Sequence, residues 1–209
     1  MNVSAVVPAY NEAGRISDVV KALYIDPVKE IIVVDDGPTD GTQEEAKALG
    51  VKVVRLDENK GKARALTKGV EAAENDILIF LDADLVGLKS HHVKDMIDEY
   101  LESSADIILG VFHNGRLNTD ISQKISPHLT GQRVVSKKVF NHLSKSQTKE
   151  FGVEVAMTKL ALKKGLKMKR VKLNGVTHVM KEEKRGFGEG LKSRFHMYAD
   201  ILRAIFTRS

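Results

Sequence analysis

Two aspartates, Asp82 and Asp84, are separated by a single residue and come directly after an unbroken apolar run at 77–81. Such a run is typical of a buried strand, and ligands of α/β sheets bind beyond the carboxyl ends of the strands. On an extended segment both carboxylates project to the same side, with Cα atoms about 6.6 Å apart. Their hard oxygen atoms suit Mg²⁺ or Mn²⁺, which commonly bridge to substrate phosphates. The triplet therefore predicts a divalent metal site.

Polar groups also follow two earlier apolar runs of the chain. The acidic pair Asp35 and Asp36 ends the run IIVV, and the segment PAYNE at 8–12 ends the first run. Because the carboxyl ends of parallel strands meet at one edge of a sheet, we expect these groups to converge with the two aspartates at 82 and 84.

The elements that must position these groups alternate between β-branched apolar runs and helical patterns, which is typical of βαβ units around a buried parallel sheet. Right-handed crossovers would place helices on both faces. The sequence thus predicts an α/β fold in one continuous domain, with halves at 1–112 and 113–209. The expected strands are 3–7, 30–34, 51–55, 76–81, 107–112 and 168–173, and the expected helices are 17–24, 42–49, 62–73, 91–101 and 152–164.

The second half has a weaker pattern. Residues 113–130 contain few periodic apolar positions and predict a long loop of the kind that often carries function. From Phe187 onward, apolar residues recur every three or four positions and predict an amphipathic helix. Its apolar stripe either packs on the protein's own core or lies in a membrane interface or on a membrane partner.

Composition narrows the class of protein. Among its 209 residues, 42% are hydrophobic and 29% charged, proportions that exclude a disordered or fibrous chain. The absence of cysteine excludes disulfides and thiol nucleophiles and suits a reducing compartment. No apolar run approaches the roughly 20 residues of a spanning helix, and the first residues lack a basic segment. We therefore expect a soluble, unexported, cytoplasmic protein.

Charge is distributed unevenly along the chain. Residues 1–130 hold 14 Lys and Arg against 22 Asp and Glu, a net charge of −8, whereas 131–209 hold 19 against 6, a net charge of +13. The basic part either faces phosphates on a substrate or an anionic lipid, or is a solvated lysine-rich surface. Nucleic acid is not expected as a partner, because no basic stretch carries interleaved aromatic residues.

Four segments, VVPAYNE, IIVVDDGPTDGT, NKGKARALTKG and DILIFLDAD, resemble in order and spacing the family-2 glycosyltransferases of the GT-A fold, including dolichyl-phosphate mannose synthase-like members. The resemblance covers about the first 110 residues and implies a Rossmann-like, mostly parallel sheet that binds a nucleotide sugar. It makes 1–112 the expected nucleotide-sugar-binding half, and 113–209 the expected acceptor-binding half with the C-terminal helix. It implies a donor site with Asp35 in a supporting role and Lys62 near the nucleotide. The other residues that it places around the donor are Pro8, Ala9, Tyr10, Glu12, Asp36, Asp82 and Ala83. Pro38 departs from the family, which commonly has Ser there.

The same resemblance assigns the metal and acceptor residues. It puts Asp82 near the ribose or the metal and Asp84 on the metal, Mn²⁺ or Mg²⁺, and His178 is similar to a histidine that completes this site in several relatives. The alternative for His178 is a structural histidine. Glu154 resembles an acidic residue of the acceptor region and is the expected catalytic base, or else a charge at the helix start with no catalytic role. Asp84 is the other expected catalytic residue. Gln132 and Arg133 are expected at the acceptor site, where Arg133 either pairs with an acceptor anion or caps structure. Lys181, Lys184 and Arg185 are expected to form a basic loop over the diphosphate, or else a solvated charge run.

The expected activity is metal-dependent transfer of one sugar from a UDP- or GDP-linked donor to a small or lipid-linked acceptor such as a polyprenyl phosphate at the cytosolic face of a membrane. Inversion is the expected stereochemistry, and retention is the alternative, since related GT-A enzymes include both. The chain lacks tryptophan and hence the Gln-x-x-Arg-Trp motif of processive synthases. Two alternatives stay open. One is a non-catalytic nucleotide-sugar-binding or membrane-adaptor module, and the other is a sugar-phosphate nucleotidyltransferase, which normally has a Gly-rich loop where this chain has PAYNE.

Overall fold

The alternating runs form one seven-stranded sheet with helices on both faces. The structure is a computed structural model, and it describes residues 1–37, 40–113, 130–143 and 152–178. The strands are β1 (Val3–Ala9), β2 (Val28–Asp36), β3 (Lys52–Leu56), β4 (Ile77–Phe80), β5 (Leu85–Val86), β6 (Ile107–His113), β7 (Arg133–Ser136), β8 (Met168–Asn174) and β9 (Thr177–His178). The helices are α1 (Ile16–Ala22), α2 (Thr42–Ala48), α3 (Lys62–Ala72), α4 (Ser90–Glu102), α5 (Lys137–Phe140) and α6 (Val153–Lys164).

The strand order is β3-β2-β1-β4-β7-β6-β8. Strand β1 pairs in parallel with β2 and β4, and β2 pairs in parallel with β3, so the strand ends of the first half point to one edge. One sheet therefore runs through both halves of the chain, and the predicted α/β single domain is confirmed. That the halves at 1–112 and 113–209 serve donor and acceptor stays a prediction.

Each face of the sheet carries its own apolar core. Helices α1, α2 and α4 cover one face, and their core includes Val7, Val33 and Ile79 of the strands. Helices α3, α5 and α6 cover the other face, and their core includes Val6 and Val34. The central strands are buried on both faces, which explains why they read as continuous apolar runs rather than as alternating ones.

Strand β7 lies antiparallel to its neighbours β4 and β6, and the sequence pattern does not predict it. It has only four residues, two of them the adjacent buried Val134 and Val135, so there is no alternation to recognise. Its pairing depends on strands some fifty residues and twenty residues earlier, which no local pattern encodes. This strand brings residues 130–133 to the centre of the sheet.

His92 has a structural role that the helical pattern at 91–101 does not reveal. His92 is buried at the start of α4, and its Nδ1 accepts the backbone N–H of Lys89 at 3.1 Å. Burial lowers the pKa of His92, which suits a neutral ring that accepts this bond. It is a helix-capping residue.

Four predicted features lie outside the described residues: the long loop at 113–130 except for its two end residues, the amphipathic helix from Phe187, the basic loop with Lys181, Lys184 and Arg185, and the departure at Pro38. Within the described ranges, no helix is both long enough and apolar enough to cross a bilayer.

Candidate functional site

The metal candidates are brought together by the small sheet of β5 and β9. Strand β5 directly follows Asp84 and pairs antiparallel with β9, so that Leu85 lies opposite His178. The chain then turns at Gly87, whose φ is +78° and where an added Cβ would come within 2.4 Å of the Gly175 carbonyl oxygen. Only glycine fits this close approach. The pairing places a residue from the end of the described chain next to the aspartates after β4.

Asp82, Asp84 and His178 form a group whose potential ligand atoms all lie within 4.8 Å of one another. His178 Nδ1 is 3.2 Å from Asp84 Oδ1, and the edge of the imidazole packs against the Phe112 ring at 4.8 Å between centroids. Two carboxylates and an imidazole are a donor set that suits Mn²⁺ and, with more oxygen ligands from water or phosphate, Mg²⁺. The residues that the sequence singled out for a metal are therefore adjacent in the fold.

Lys62 lies between two carboxylates that the sequence assigned to different functions. Its Nζ is 2.5 Å from Asp82 Oδ1 and 2.5 Å from Glu154 Oε1. The side chains of Lys62, Asp82 and Glu154 are 38%, 17% and 20% exposed, so all three are partly buried. Burial alone would lower the pKa of Lys62, but the charges of Asp82 and Glu154 outweigh it and raise that pKa above its ordinary value. The three residues form a charged triad.

The second oxygen of Asp82 is held by the strand that the sequence did not predict. Gln132 Nε2 donates to Asp82 Oδ2 at 3.0 Å, and Gln132 Oε1 accepts from Thr130 Oγ1 at 2.6 Å. Thr130 Oγ1 also lies 2.6 Å from the Gly110 carbonyl oxygen. Both oxygens of Asp82 thus have partners within the chain, one on α3 and one just before β7, which fixes the orientation of its carboxylate.

Glu154 stands in the first turn of α6, where the helix dipole favours a negative charge. Thr158, one turn later, donates from Oγ1 to the Glu154 carbonyl oxygen at 2.9 Å. The position predicted from the sequence, at a helix start, is therefore confirmed. Its role as a base stays a prediction.

Arg133 is not placed to meet an acceptor directly. Only 1% of its surface is exposed, its Nε donates to the Thr130 carbonyl oxygen at 2.9 Å, and its Nη2 donates to Thr158 Oγ1 at 3.1 Å. Burial lowers the pKa of Arg133 to about 10, although the charge of Glu154 opposes this shift. A contact with an acceptor would require the guanidinium to leave its buried place, so we assign Arg133 a supporting role beneath Glu154.

Gln132 likewise departs from its predicted acceptor contact. It is fully buried and its side-chain amide is used to hold Asp82. The sequence signal that could have found this role is weak, because it requires knowing that β7 runs antiparallel beside β4. The two adjacent valines after Arg133 were the feature of the sequence that could have indicated a strand.

The predicted nucleotide side lies at the ends of β1 and β2. Asp36 is buried, and its Oδ1 accepts the backbone N–H of Lys60 at 2.9 Å, which ties the end of β2 to the loop before α3. Asp35 is fully buried, and neither of its carboxylate oxygens has a hydrogen-bond partner among the described residues. Burial raises the pKa of Asp35. An acceptor buried in this way is a candidate partner for a ligand N–H group.

The segment after β1 is ordered by its own hydrogen bonds. The backbone N–H of Glu12 donates to Thr42 Oγ1 at 2.8 Å, and the Glu12 carboxylate pairs with Arg15 at 2.6 Å. Ala9 is buried, as is Ala83 after β4, while Tyr10 is 39% exposed at the rim with Pro8 half-buried beside it. These residues border one edge of the sheet with Asp36, as predicted, and their contact with a nucleotide stays a prediction.

Comparisons with known proteins agree with this architecture. A family model described as Glycosyl transferase family 2 matches residues 4–167. The dolichol-phosphate mannosyltransferase of Pyrococcus furiosus is 33% identical over 124 residues, which are 53% of this chain and 33% of the relative. The 4,4'-diaponeurosporenoate glycosyltransferase of Staphylococcus haemolyticus is 31% identical over 173 residues, 76% of this chain and 44% of the relative. The chain spans less than half the length of these curated relatives.

A solved structure has the same fold at low identity. Glucosyl-3-phosphoglycerate synthase from Mycobacterium tuberculosis, in complex with Mn²⁺, UDP-glucose and phosphoglyceric acid, matches with a TM-score of 0.74 and 21% identity. The match covers 99% of this chain and 79% of that chain. It confirms the GT-A architecture that the four sequence segments imply.

Proposed function

Because the chain belongs to glycosyl transferase family 2, we propose that it transfers one sugar at a time from a nucleoside diphosphate sugar to a non-polymeric acceptor. The observation that carries this proposal is the meeting of three groups at one site. Asp84 and His178 provide a metal-binding pair, Asp82 stands beside them, and Glu154 faces Asp82 across Lys62.

A divalent ion fits the donor set of Asp82, Asp84 and His178. We assign Asp84 and His178 as its main protein ligands, since both oxygens of Asp82 already have partners in the chain. When bound, Mn²⁺ or Mg²⁺ supplies positive charge that stabilises a departing nucleoside diphosphate. The related fold from M. tuberculosis, which was solved with Mn²⁺ and with Mg²⁺, supports this choice of metals.

The nucleoside of the donor is proposed to lie at the ends of β1 and β2. Asp36 is held there by the Lys60 backbone, and Tyr10 presents a partly exposed ring at the rim. The buried Asp35 carboxyl lacks a partner among the described residues and would accept a hydrogen bond from the base, directly or through water. A UDP- or GDP-linked donor satisfies this requirement, because uracil and guanine both carry ring N–H groups.

In the transfer step, the bond between the anomeric carbon and the diphosphate oxygen breaks while an acceptor oxygen bonds to that carbon from the opposite face. The configuration is therefore inverted. The proton of an acceptor hydroxyl passes to the Glu154 carboxylate, which is held at 2.5 Å by the Lys62 ammonium. Where the attacking oxygen belongs to a phosphate, no proton has to be removed, and Glu154 only orients the acceptor.

An anionic group on the acceptor is the further element of the proposal. The relatives carry names that specify a dolichol phosphate, a diaponeurosporenoate and a phosphoglycerate, each of which bears a phosphate or a carboxylate. The net charge of +13 in residues 131–209 suits such a molecule. A lipid-linked acceptor would bring the protein to the cytosolic face of a membrane, in agreement with the amphipathic pattern from Phe187.

A donor-hydrolysis screen tests the proposal. The chain is incubated with UDP- and GDP-linked sugars, with and without Mn²⁺, and release of nucleoside diphosphate is measured. We expect slow, metal-dependent hydrolysis of one donor, accelerated by either a polyprenyl phosphate or 3-phosphoglycerate. Metal-dependent nucleotide binding without turnover of any donor would favour the binding module. Formation of a nucleotide sugar from a sugar phosphate and a nucleoside triphosphate would favour the nucleotidyltransferase.

A further inference from the structure

Lys62 occupies an electrostatically unusual place. It is the first residue of α3, where the helix dipole disfavours a positive charge. Its side chain is nevertheless only 38% exposed, and its ammonium contacts two carboxylates at 2.5 Å each. Surface lysines gain little from such contacts, but a partly buried ion pair is screened less by salt. The position therefore depends on both partners.

The two partners come from separate parts of the fold. Asp82 lies shortly after β4 in the first half of the chain, whereas Glu154 lies in the first turn of α6, which belongs to the second half and packs in the same core as α3 and α5. Lys62 is thus a charged bridge between the segment that carries the metal candidates and the helix that carries the proposed base.

Backbone encloses this bridge on a third side. A Cβ built on Gly131 would lie 2.6 Å from Lys62 Nζ and 2.6 Å from Asp82 Oδ2. Gln132 then holds Asp82 Oδ2 from the same side. With both Asp82 oxygens engaged and Gly131 pressed against the pair, the ammonium has a defined place rather than a range of positions.

Without this ammonium, the carboxylates of Asp82 and Glu154 would face each other across the vacated space. Like charges at such a short range repel each other or recruit another cation. Glu154 would then shift relative to Asp82, or a second divalent ion would bind between them, because carboxylate pairs of this kind ligate hard cations.

We propose that Lys62 is a positioning residue of the transfer reaction, which sets the separation between Asp82 and Glu154 and keeps divalent cations out of the space between them. The inference rests on the proposed function and goes beyond it. Its consequence is that Lys62 acts on the rate of transfer through two carboxylates, and not on the affinity for the nucleotide.

The variant Lys62→Met tests this, because methionine is similar in length and carries no charge. Lys68→Met is the matched control, since Lys68 lies on the same helix and pairs with the exposed Glu71. In steady-state kinetics we expect kcat to fall about 100-fold in Lys62→Met, because a catalytic group misplaced by about 1 Å costs about that factor. Donor KM should stay within about threefold of wild type. Lys68→Met should match wild type in both.

Manganese binding provides a readout that does not require turnover. Electron paramagnetic resonance with Mn²⁺ alone should detect one bound ion in the wild type and in Lys68→Met, and a second ion in Lys62→Met. The double variant Lys62→Met with Glu154→Gln should bind one ion again, because the facing carboxylate is gone. Unfolding midpoints of the four proteins show whether Lys62→Met is folded and whether Glu154→Gln restores its stability.

Two results would overturn the inference. An unchanged kcat, or a loss confined to donor KM, would make Lys62 a bystander or a nucleotide-binding residue. A Lys62→Met protein that binds a single Mn²⁺ and gains no stability from Glu154→Gln would show that the two carboxylates do not depend on the ammonium. If the wild type turns over no donor at all, the proposed function fails, whereas the manganese and unfolding measurements still decide the role of Lys62.

Discussion

The proposed donor side and the proposed acceptor side of the site are built in different ways. On the proposed donor side, functional side chains lie at the ends of their own strands, since Asp36 is the last residue of β2 and Asp82 comes two residues after β4. On the acceptor side, Glu154 owes its place to Lys62 and, beneath it, to the buried Arg133 and Thr158. Local chain geometry positions the first set and long-range contacts position the second. Substitutions should therefore act directly on binding in the first region and indirectly, through displaced neighbours, in the second.

The largest effect is expected at the metal pair. Asp84→Ala removes the carboxylate that lies 3.2 Å from His178 Nδ1, and with it a main ligand of the proposed ion. We expect donor turnover to fall at least about 1000-fold, since the charge that stabilises the leaving group is lost, while the unfolding midpoint stays close to wild type. Donor hydrolysis and Mn²⁺ binding measure this. Asp98→Asn on α4 is the control. Near-normal activity in Asp84→Ala would contradict the metal mechanism.

A smaller effect is expected where the two sides touch. Gly131→Ala adds a methyl group whose carbon would lie 2.6 Å from both Lys62 Nζ and Asp82 Oδ2. The triad must move to accept it, so we expect kcat to fall about 100-fold without loss of the fold. Gly41→Ala is the control, because its added Cβ would come only within 4.0 Å of Ala13. Full activity in Gly131→Ala would mean that the triad tolerates displacement and that the two sides are not coupled.

Stability and pH test the donor side alone. Burial raises the folded-state pKa of Asp35 above its unfolded value, so the folded protein binds more protons and loses stability as pH rises through this interval. Asp35→Asn cannot ionise and should be more stable than wild type by about 1 kcal/mol at pH 7, with a smaller gain near pH 4. Urea unfolding at both pH values measures the difference. An equal gain at both pH values, or a loss of stability at pH 7, would show that the ionised form of Asp35 does not destabilise the folded protein.

The smallest effect concerns the charge of the acceptor half. Lys172 is exposed near the carboxyl end of β8, at the edge where the parallel strands end. If the acceptor is anionic, Lys172→Glu should raise acceptor KM by about threefold at low salt, and 0.5 M NaCl should abolish the difference because it screens exposed charges. Donor KM in the same titration is the internal reference. A shift that persists at high salt would indicate a direct contact instead of long-range attraction.

Prediction from the sequence succeeded where a local pattern carries the information. The runs that became β1, β2 and β4 are buried on both faces, so their composition alone identified them, and the polar residues after them had to lie at one edge. Asp82 and Asp84 were identified in this way. The pairing of His178 with Asp84 was implied only by resemblance, since 94 residues separate them along the chain.

The sequence did not reveal the contacts of residues whose partners are far away in the chain. That Gln132 and Arg133 meet an acceptor stays a prediction, and only the structure shows that the antiparallel strand β7 turns the first toward Asp82 and buries the second under α6. A four-residue strand with adjacent buried valines has neither the length nor the alternation that would reveal it. His92 was missed for a related reason, because a histidine that caps a helix start looks like any exposed helical residue.

By itself, the amino-acid sequence determined the alternation of strands and helices, the two-sided burial of the central sheet and the polar groups at its edge. These follow from the hydrophobic periodicity of single segments. The tertiary structure alone decided that Lys62 joins Asp82 to Glu154, that Gln132 orients Asp82, and that β5 and β9 carry Asp84 to His178. Such contacts depend on strand order and direction, which short-range patterns do not encode because the pairing free energy comes from segments distant in the chain.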